Sequence, residues 1–247
     1  MLKKIRQWLG AAADVAMPRV CPVCGMALDG DEQWLCRKCL AALPRTKYEE
    51  VEFNAMEQLF AGKVPIERAT AYFFYEKGSP YASILHDIKY HGLPVMGQWL
   101  TGRAVTDMAA SRFFEGIDVV MAVPLHRSKY AHRGYNQSEY LARGIAEVLD
   151  IPYVNALKAV RPHTTQTHKG ALERWQNIQG NYALKNNADQ LAGKHILLVD
   201  DVITTGSTLR ACIQAFSAVR GCEICVFALA RTQKEVSPSS EEDRETK

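Results

Sequence analysis

The sequence contains no apolar run that approaches the roughly 20 residues of a membrane-spanning helix. It has no internal repeat, which excludes a repeat architecture. Its formal net charge of +3 is far from the strong basic excess of a dedicated nucleic-acid-binding protein. These absences predict a soluble protein whose contacts with phosphates, if it makes any, are confined to a local site.

The composition is that of a folded globular protein, with 47% hydrophobic and 23% charged residues over 247 positions. This length suits one domain of ordinary size and a smaller unit. At the N-terminus, apolar residues at helical spacing follow a basic start, and Asp14 interrupts the short apolar run. We therefore expect an amphipathic helix over residues 1–17, able to touch a membrane or a partner, rather than a signal peptide.

Four of the seven cysteines form two CxxC pairs, Cys21 with Cys24 and Cys36 with Cys39, separated by eleven residues. Two such pairs supply the four thiolates of a closed, structural zinc site, while two redox pairs or buried thiols are the alternative. The remaining cysteines, which we expect in the core, are Cys212, Cys222 and Cys225. This usage is typical of the reducing cytoplasm.

Strand and helix patterns alternate through the rest of the chain. The strands are predicted at 69–75, 118–123, 195–199 and 223–230, with another from 153 onward, and the helices at 80–91, 95–110, 136–149 and 207–219. Such alternation predicts an α/β fold with a parallel sheet. We place an N-terminal helix and zinc module at 1–64, the α/β domain at 65–235 and a polar, disordered tail at 236–247.

Two acids and a hydroxyl-rich turn follow the predicted strand at 195–199. In order, these residues are Asp200, Asp201, Thr204, Thr205, Gly206, Ser207 and Thr208. The turn opens a helix, whose first amide groups and dipole favour a phosphate, and carboxylates accept hydrogen bonds from vicinal hydroxyls. Ribose 5-phosphate suits both parts of this segment, with its phosphate on the turn and its hydroxyls on the acids. A capped helix after an acidic turn is the structural alternative and would account for part of the pattern.

This segment resembles the phosphoribosyl pyrophosphate signature of type I phosphoribosyltransferases: four apolar residues, two acids, two apolar residues, then T-T-G-x-T. The resemblance implies that Asp200 and Asp201 bind the ribose diol and that residues 204–208 bind the 5′-phosphate. It also implies the type I phosphoribosyltransferase fold, with Mg²⁺ accompanying the ligand.

Further blocks are similar to the ComF family, also called GntX-like, within that superfamily. They are the cysteine cluster with its preceding Pro-Arg-Val, residues 88–92, 123–126, 132–137 and 161–177. Membership implies a small zinc-ribbon module and a role in DNA uptake, or competence. Arg127, Lys129, Arg133 and Lys89 are the cations expected near a diphosphate, with Arg133 and Lys89 placed in the binding site.

The loop at 161–174 is expected to act as a lid over this site. In an enzymatic interpretation the protein would be a glycosyltransferase that transfers pentosyl groups. The sequence shows no obvious catalytic base, so it does not identify the acceptor of the transfer. The alternative is a non-catalytic competence factor that binds single-stranded DNA on the same surface, with Tyr130 and Tyr135 as stacking candidates. An interaction adaptor built on the zinc module is the weakest hypothesis.

Overall fold

A four-stranded parallel sheet forms the centre of the structure, a computed structural model that describes residues 19–160 and 180–232. In chain order the strands are β1 (Ala69–Tyr75), β2 (Val119–Ala122), β3 (Leu157–Ala159), β4 (Tyr182–Leu184), β5 (His195–Ile203) and β6 (Glu223–Thr232). The sheet has the order β1-β6-β5-β2, and all of its pairs are parallel. The remaining strands, β3 and β4, form an antiparallel ribbon.

Six α-helices lie within the described ranges, one before β1 and five between successive strands. They are α1 (Arg37–Ala41), α2 (Ala82–Tyr90), α3 (Pro94–Asp107), α4 (Arg127–Arg133), α5 (Gln137–Leu149) and α6 (Ser207–Gln214). None of these helices is both long and apolar enough to span a bilayer.

Both faces of the sheet are buried, as expected of a parallel sheet whose connections cross its faces. Alternate residues of β5 enter different cores: Leu197 and Val199 pack with α2, α3 and α5, whereas Ile196 and Leu198 pack with α6. Cys21 and its neighbours belong to the first of these cores. The cysteine segment is therefore joined to the sheet by apolar packing.

The α/β class, the parallel sheet and the predicted strands and helices are confirmed, with differences at their ends. Strand β5 continues through both acids to Ile203, because its pairing with β6 extends to Arg231. Helix α6 ends at Gln214 and continues as the 3₁₀ turn Ala215–Ala218. The basic segment after β2, expected as a loop, forms helix α4.

The segment between the cysteines and β1 is ordered by a buried amide. Asn54 Nδ2 donates to the carbonyl oxygens of Tyr48 and Ala69, each at 3.0 Å, while its Oδ1 accepts from the backbone of Met56 at 2.8 Å. The segment thus packs onto the α/β unit, and the domain division at residue 65 stays a prediction. The predicted helix at 1–17, the lid at 161–174 and the tail at 236–247 lie outside the described residues.

Candidate functional site

The hydroxyl-rich turn lies at the C-terminal edge of β5, where α/β proteins bind ligands. Thr204 and Thr205 are exposed, and Gly206 precedes α6 with a φ of 71°, a left-handed conformation that favours glycine. Thr205 Oγ1 donates to Ser207 Oγ at 3.2 Å. The turn therefore presents threonine hydroxyls to solvent directly before the start of α6.

Arg210 holds the turn in place from below. Its Nη1 donates to the carbonyl oxygen of Thr205 at 3.1 Å and to that of Leu59 at 3.0 Å. A Cβ added to Gly206 would lie 3.5 Å from Leu59 Cβ and 3.6 Å from Phe60 Cζ. The segment before β1 thus forms the floor of the turn, which the sequence did not indicate.

Asp200 and Asp201 lie inside β5, not after its end as the sequence pattern predicted, and are only 8% and 7% exposed. Ser138 Oγ donates to Asp200 Oδ1 at 3.1 Å, and Gln137 Nε2 donates to Asp201 Oδ2 at 2.9 Å. Lys89 Nζ lies 2.9 Å from the same Asp201 oxygen. Buried carboxylates need such partners, because an unpaired charge in the interior is costly.

Burial raises the pKa of Asp200 to about 7, and the adjacent charge of Asp201 adds to the rise. The hydrogen bonds from Ser138 and from the Asp201 backbone oppose it. Asp200 is therefore a carboxyl group whose charge changes near neutral pH, and its charged form becomes favourable when further donors or cations reach it.

Two of the four expected cations reach the acids. Lys89, at the end of α2, pairs directly with Asp201, and Arg133 reaches it through Gln137, whose Oε1 accepts from Arg133 Nη1. The Arg133 guanidinium also lies 5.3 Å from the ring centroid of Tyr90. Arg127 and Lys129 instead lie exposed on α4. The structure thus joins Lys89 and Arg133 to the site and shows no contact between the other two and the acids.

Gln137 and Ser138 are the residues that the sequence analysis missed as partners of the acids. They occupy the first two positions of α5, and the side chain of Asn136 caps this helix while its Nδ2 donates to the Val123 carbonyl oxygen at 3.0 Å. This bond fixes the start of α5 against the end of β2. Gln137 lies in the block 132–137 that resembles the ComF family, so the sequence marked it as a residue of interest. The sequence did not indicate that its partner is Asp201.

The four clustered cysteines converge as predicted, with their Sγ atoms all within 4.8 Å of one another. The Sγ atoms of Cys24 and Cys36 are 3.7 Å apart, close to the edge of about 3.8 Å that Zn–S bonds of about 2.3 Å give in a tetrahedron. The Cys39 amide donates to Cys36 Sγ at 3.4 Å. The four thiols are free, so the cluster could hold a zinc ion with no coordination position left open.

The other cysteines lie outside this cluster. Cys212 and Cys225 are buried, as expected, whereas Cys222 is partly exposed and precedes β6 instead of lying within it. Its Sγ donates to the Val219 carbonyl oxygen at 3.6 Å. Cys222 and Cys225, which also have CxxC spacing, therefore do not form a paired site.

Comparisons with known proteins agree with this architecture. Residues 135–247 match the phosphoribosyl transferase domain family. Competence protein F of Haemophilus influenzae is 34% identical over 129 residues, which cover 52% of this chain and 56% of that protein. The DNA utilization protein YhgH of Escherichia coli K12 is 25% identical over 217 residues, covering 86% and 90% of the two chains.

The chain has a phosphoribosyltransferase-like domain, and its similarity to a competence protein and a DNA utilization protein is consistent with the ComF family. Among solved structures, the glutamine phosphoribosylpyrophosphate amidotransferase of B. subtilis is similar with a TM-score of 0.40 and 20% identity, over 59% of this chain and 30% of that chain. The stretch that matches the domain family contains the acids, the turn and the start of α5. Lys89 and the cysteine cluster lie outside that stretch.

Replacing Asp200 by Asn should flatten the pH dependence of stability between about pH 4 and pH 7. In the unfolded chain this carboxyl loses its proton near pH 3.9, whereas in the folded chain it keeps the proton up to about pH 7. The free energy of unfolding therefore falls as pH rises through this window, by at most ~4 kcal/mol at about 1.4 kcal/mol per pKa unit. Urea unfolding at several pH values measures the slope.

The matched control for this measurement is the exposed Asp189→Asn, which should keep the wild-type slope. An Asp200→Asn slope equal to that of the wild type would show that the Asp200 carboxyl ionises normally.

Proposed function

We propose that this protein binds phosphoribosyl pyrophosphate with Mg²⁺ at the acid pair and turn formed by residues 200–208. The observation that supports this most is the sequence of two adjacent acids, an exposed hydroxyl turn and a helix start on one strand of a phosphoribosyltransferase-like domain. In this proposal the 5′-phosphate of the ligand meets hydrogen-bond donors of the turn, and the ribose hydroxyls meet the carboxylates of the acid pair.

The 5′-phosphate would lie on the turn. The hydroxyls of Thr204, Thr205, Ser207 and Thr208 can donate to phosphate oxygens, and the amides at the start of α6 add further donors and a favourable dipole. The floor made by Arg210 and Leu59 keeps the turn from collapsing onto the sheet. Such preorganisation lowers the entropic cost of binding an anion.

The ribose hydroxyls would donate to the acids. The hydrogen bonds described for Asp200, from Ser138 and from the Asp201 backbone, both end on Oδ1, so Oδ2 is the acceptor for a hydroxyl. A carboxylate offers about four acceptor positions, and the existing donors need not leave. Gln137 and Ser138 would then hold the two carboxylates in register for the diol.

The diphosphate would bring Mg²⁺ and meet the cations of the site. Mg²⁺ prefers oxygen ligands and is commonly held by substrate phosphates with one or two carboxylates. Lys89, which now neutralises Asp201, and Arg133, which reaches the same acid through Gln137, are the two cations that support the assignment. Both would stabilise negative charge that develops on a departing diphosphate.

Pentosyl transfer is the chemistry that this ligand supports. The bond from C1 of the ribose to the diphosphate breaks as an acceptor nucleophile attacks C1, and the protein contributes positioning and electrostatic stabilisation. The acceptor is not identified by any residue of the site. Release of pyrophosphate in a mixture of bases or amines therefore decides between a transferase and a protein that only binds the ligand.

The names of the relatives, competence protein and DNA utilization protein, support a link to DNA uptake, and we propose that the protein acts in the cytoplasm. Direct stacking of single-stranded DNA is less favoured, because Tyr135 donates its hydroxyl to the Ile88 carbonyl oxygen at 2.7 Å and packs edge-to-face on Tyr140. Tyr130 is 49% exposed on the basic helix α4, so it alone retains the position expected of a stacking residue. We propose that the DNA link acts through the sugar-phosphate site.

The four-cysteine cluster supports a structural zinc ion in this proposal. Its thiols come from the hairpin around Cys21 and the start of α1, two short elements with little core of their own. A metal bond between them would supply folding free energy that packing alone does not.

Replacing Thr204 and Thr205 by Val should weaken the binding of phosphoribosyl pyrophosphate with Mg²⁺ at least tenfold. Hydrogen bonds to a charged group contribute about 1.5–3 kcal/mol each, and Val keeps the shape of Thr without its hydroxyl. Isothermal calorimetry measures the Kd, and pyrophosphate release is assayed on the same proteins. Thr106→Val, on the exposed side of α3, is the control and should bind like the wild type. Equal affinity in all three proteins, or none in the wild type, contradicts the proposal.

Replacing Cys24 by Ser should remove one zinc ion per chain and lower the melting temperature. Cys24 is the exposed member of the cluster, so the change itself disturbs little packing. Zinc content is measured by elemental mass spectrometry and stability by thermal unfolding. The control Cys222→Ser should keep both values, whereas unchanged zinc content in Cys24→Ser would contradict a four-thiolate site.

A further inference from the structure

A second group of metal-ligating side chains lies at the opposite edge of the sheet from the turn. Glu67, just before β1, His195, the first residue of β5, and Cys225, near the start of β6, place one ligand atom each within 4.8 Å of the others. The eight steps of β5 from His195 to Ile203 separate this group from the turn by about 26 Å at about 3.3 Å per residue. The group is thus independent of the sugar-phosphate site.

The separations fit the coordination shell of a small divalent cation. His195 Nε2 lies 3.3 Å from Cys225 Sγ, and Cys225 Sγ lies 3.7 Å from Glu67 Oε2. Bond lengths of about 2.0–2.3 Å to zinc give tetrahedral edges of about 3.3–3.6 Å between such ligands. His195 Nε2 and Glu67 Oε2 are closer, in direct hydrogen-bond contact, and must move apart. The Glu67 side chain is 47% exposed and free to make that adjustment.

The backbone holds the three residues together without a metal. The parallel pairing of β5 with β6 sets His195 opposite Glu223 and places Cys225 opposite Leu197, and the Glu67 amide donates to the Ile224 carbonyl oxygen at 2.9 Å. The His195 amide donates to Asp118 Oδ2 at 2.9 Å. Preorganisation of this kind is what a metal site requires of the surrounding fold.

Without a metal, hydrogen bonds account for two of the three contacts. A neutral imidazole and a thiol offer two protons, one on Nε2 and one on Sγ, and each can be donated to the Glu67 carboxylate. The third separation, Nε2 to Sγ at 3.3 Å, is a van der Waals contact that places the two atoms side by side. A cation placed among the three atoms would accept a lone pair from each of them.

The charges also suit a divalent cation. A carboxylate, a thiolate and a neutral imidazole together carry two negative charges, and Cys225 is only 1% exposed, so its thiolate requires a close counter-charge. Binding releases the thiol proton to solvent. One sulfur, one nitrogen and one oxygen ligand are a set that zinc accepts readily.

The fourth coordination position would face solvent. Glu67 lines a groove of about 890 Å³ together with Phe216, Cys222 and Glu223. The other two ligands are more enclosed than Glu67, with the His195 side chain 16% and Cys225 1% exposed. Three protein ligands with a solvent position is the arrangement of an open zinc site, in contrast to the closed cysteine cluster.

We propose that Glu67, His195 and Cys225 form a second site for a divalent cation of the zinc class, with its fourth position open to the groove. Occupation of the site joins the segment before β1 to β5 and β6 and stabilises the sheet at that edge.

The test measures zinc bound per chain in the full-length protein equilibrated with buffered micromolar zinc. Two ions per chain are expected in the wild type and in the controls Cys222→Ser and Glu223→Gln, which lie beside the site. One ion per chain is expected in Cys225→Ser and in Glu67→Gln, which keeps the size of the side chain. If Cys225→Ser fails to fold, Glu67→Gln decides, since Glu67 is half exposed.

Thermal unfolding with and without zinc provides a second readout in the same proteins. The added zinc should raise the melting temperature of the wild type and of both controls more than that of Glu67→Gln. A wild-type protein that binds a single ion, or a second ion retained at full occupancy in Glu67→Gln and Cys225→Ser, overturns the proposal. Either result leaves the sugar-phosphate site untouched, because that site lies at the other edge of the sheet.

Discussion

Burial of two neighbouring carboxylates in a parallel sheet is the constraint on which the candidate site depends. Asp200 and Asp201 lie where β5 is still paired with β6, so neither can be left to water. Their donors come from the start of α5, and their counter-charge comes from α2. Two helices that cover one face of the sheet are therefore oriented by the acids as well as by apolar packing.

Strand β5 links the three chemical features of the chain. Its C-terminal end carries the acids and the turn, its first residue contributes His195 to the second cluster, and its Leu197 and Val199 pack in the core that includes Cys21. A single strand thus connects the candidate sugar-phosphate site, a candidate cation site and the cysteine segment. The cysteine cluster is closed and distant in chain position from the turn, which favours a structural role over a chemical one.

The sequence predicted the cysteine cluster, most strands and helices, and the hydroxyl-rich turn, because each of these depends on residues that are close together in the chain. The CxxC pairs, each strand or helix pattern, and the run of acids, threonines and glycine each span fewer than twenty residues. Lys89 was expected in the site, but its direct pairing with Asp201, and that of Gln137, could not be predicted, since the three residues meet only after separate elements pack. Likewise, Glu67, His195 and Cys225 become neighbours through strand register. Helix α4 was missed because its seven residues are too few for a periodic pattern.

A crystal structure of the full chain with phosphoribosyl pyrophosphate and Mg²⁺ tests the central claim most directly. The account predicts the 5′-phosphate against the amides of residues 205–208 and the ribose hydroxyls on Asp200 and Asp201, with the bonds from Ser138 and Gln137 retained. Density for the ligand elsewhere, with the acids still closed to it, would contradict the account.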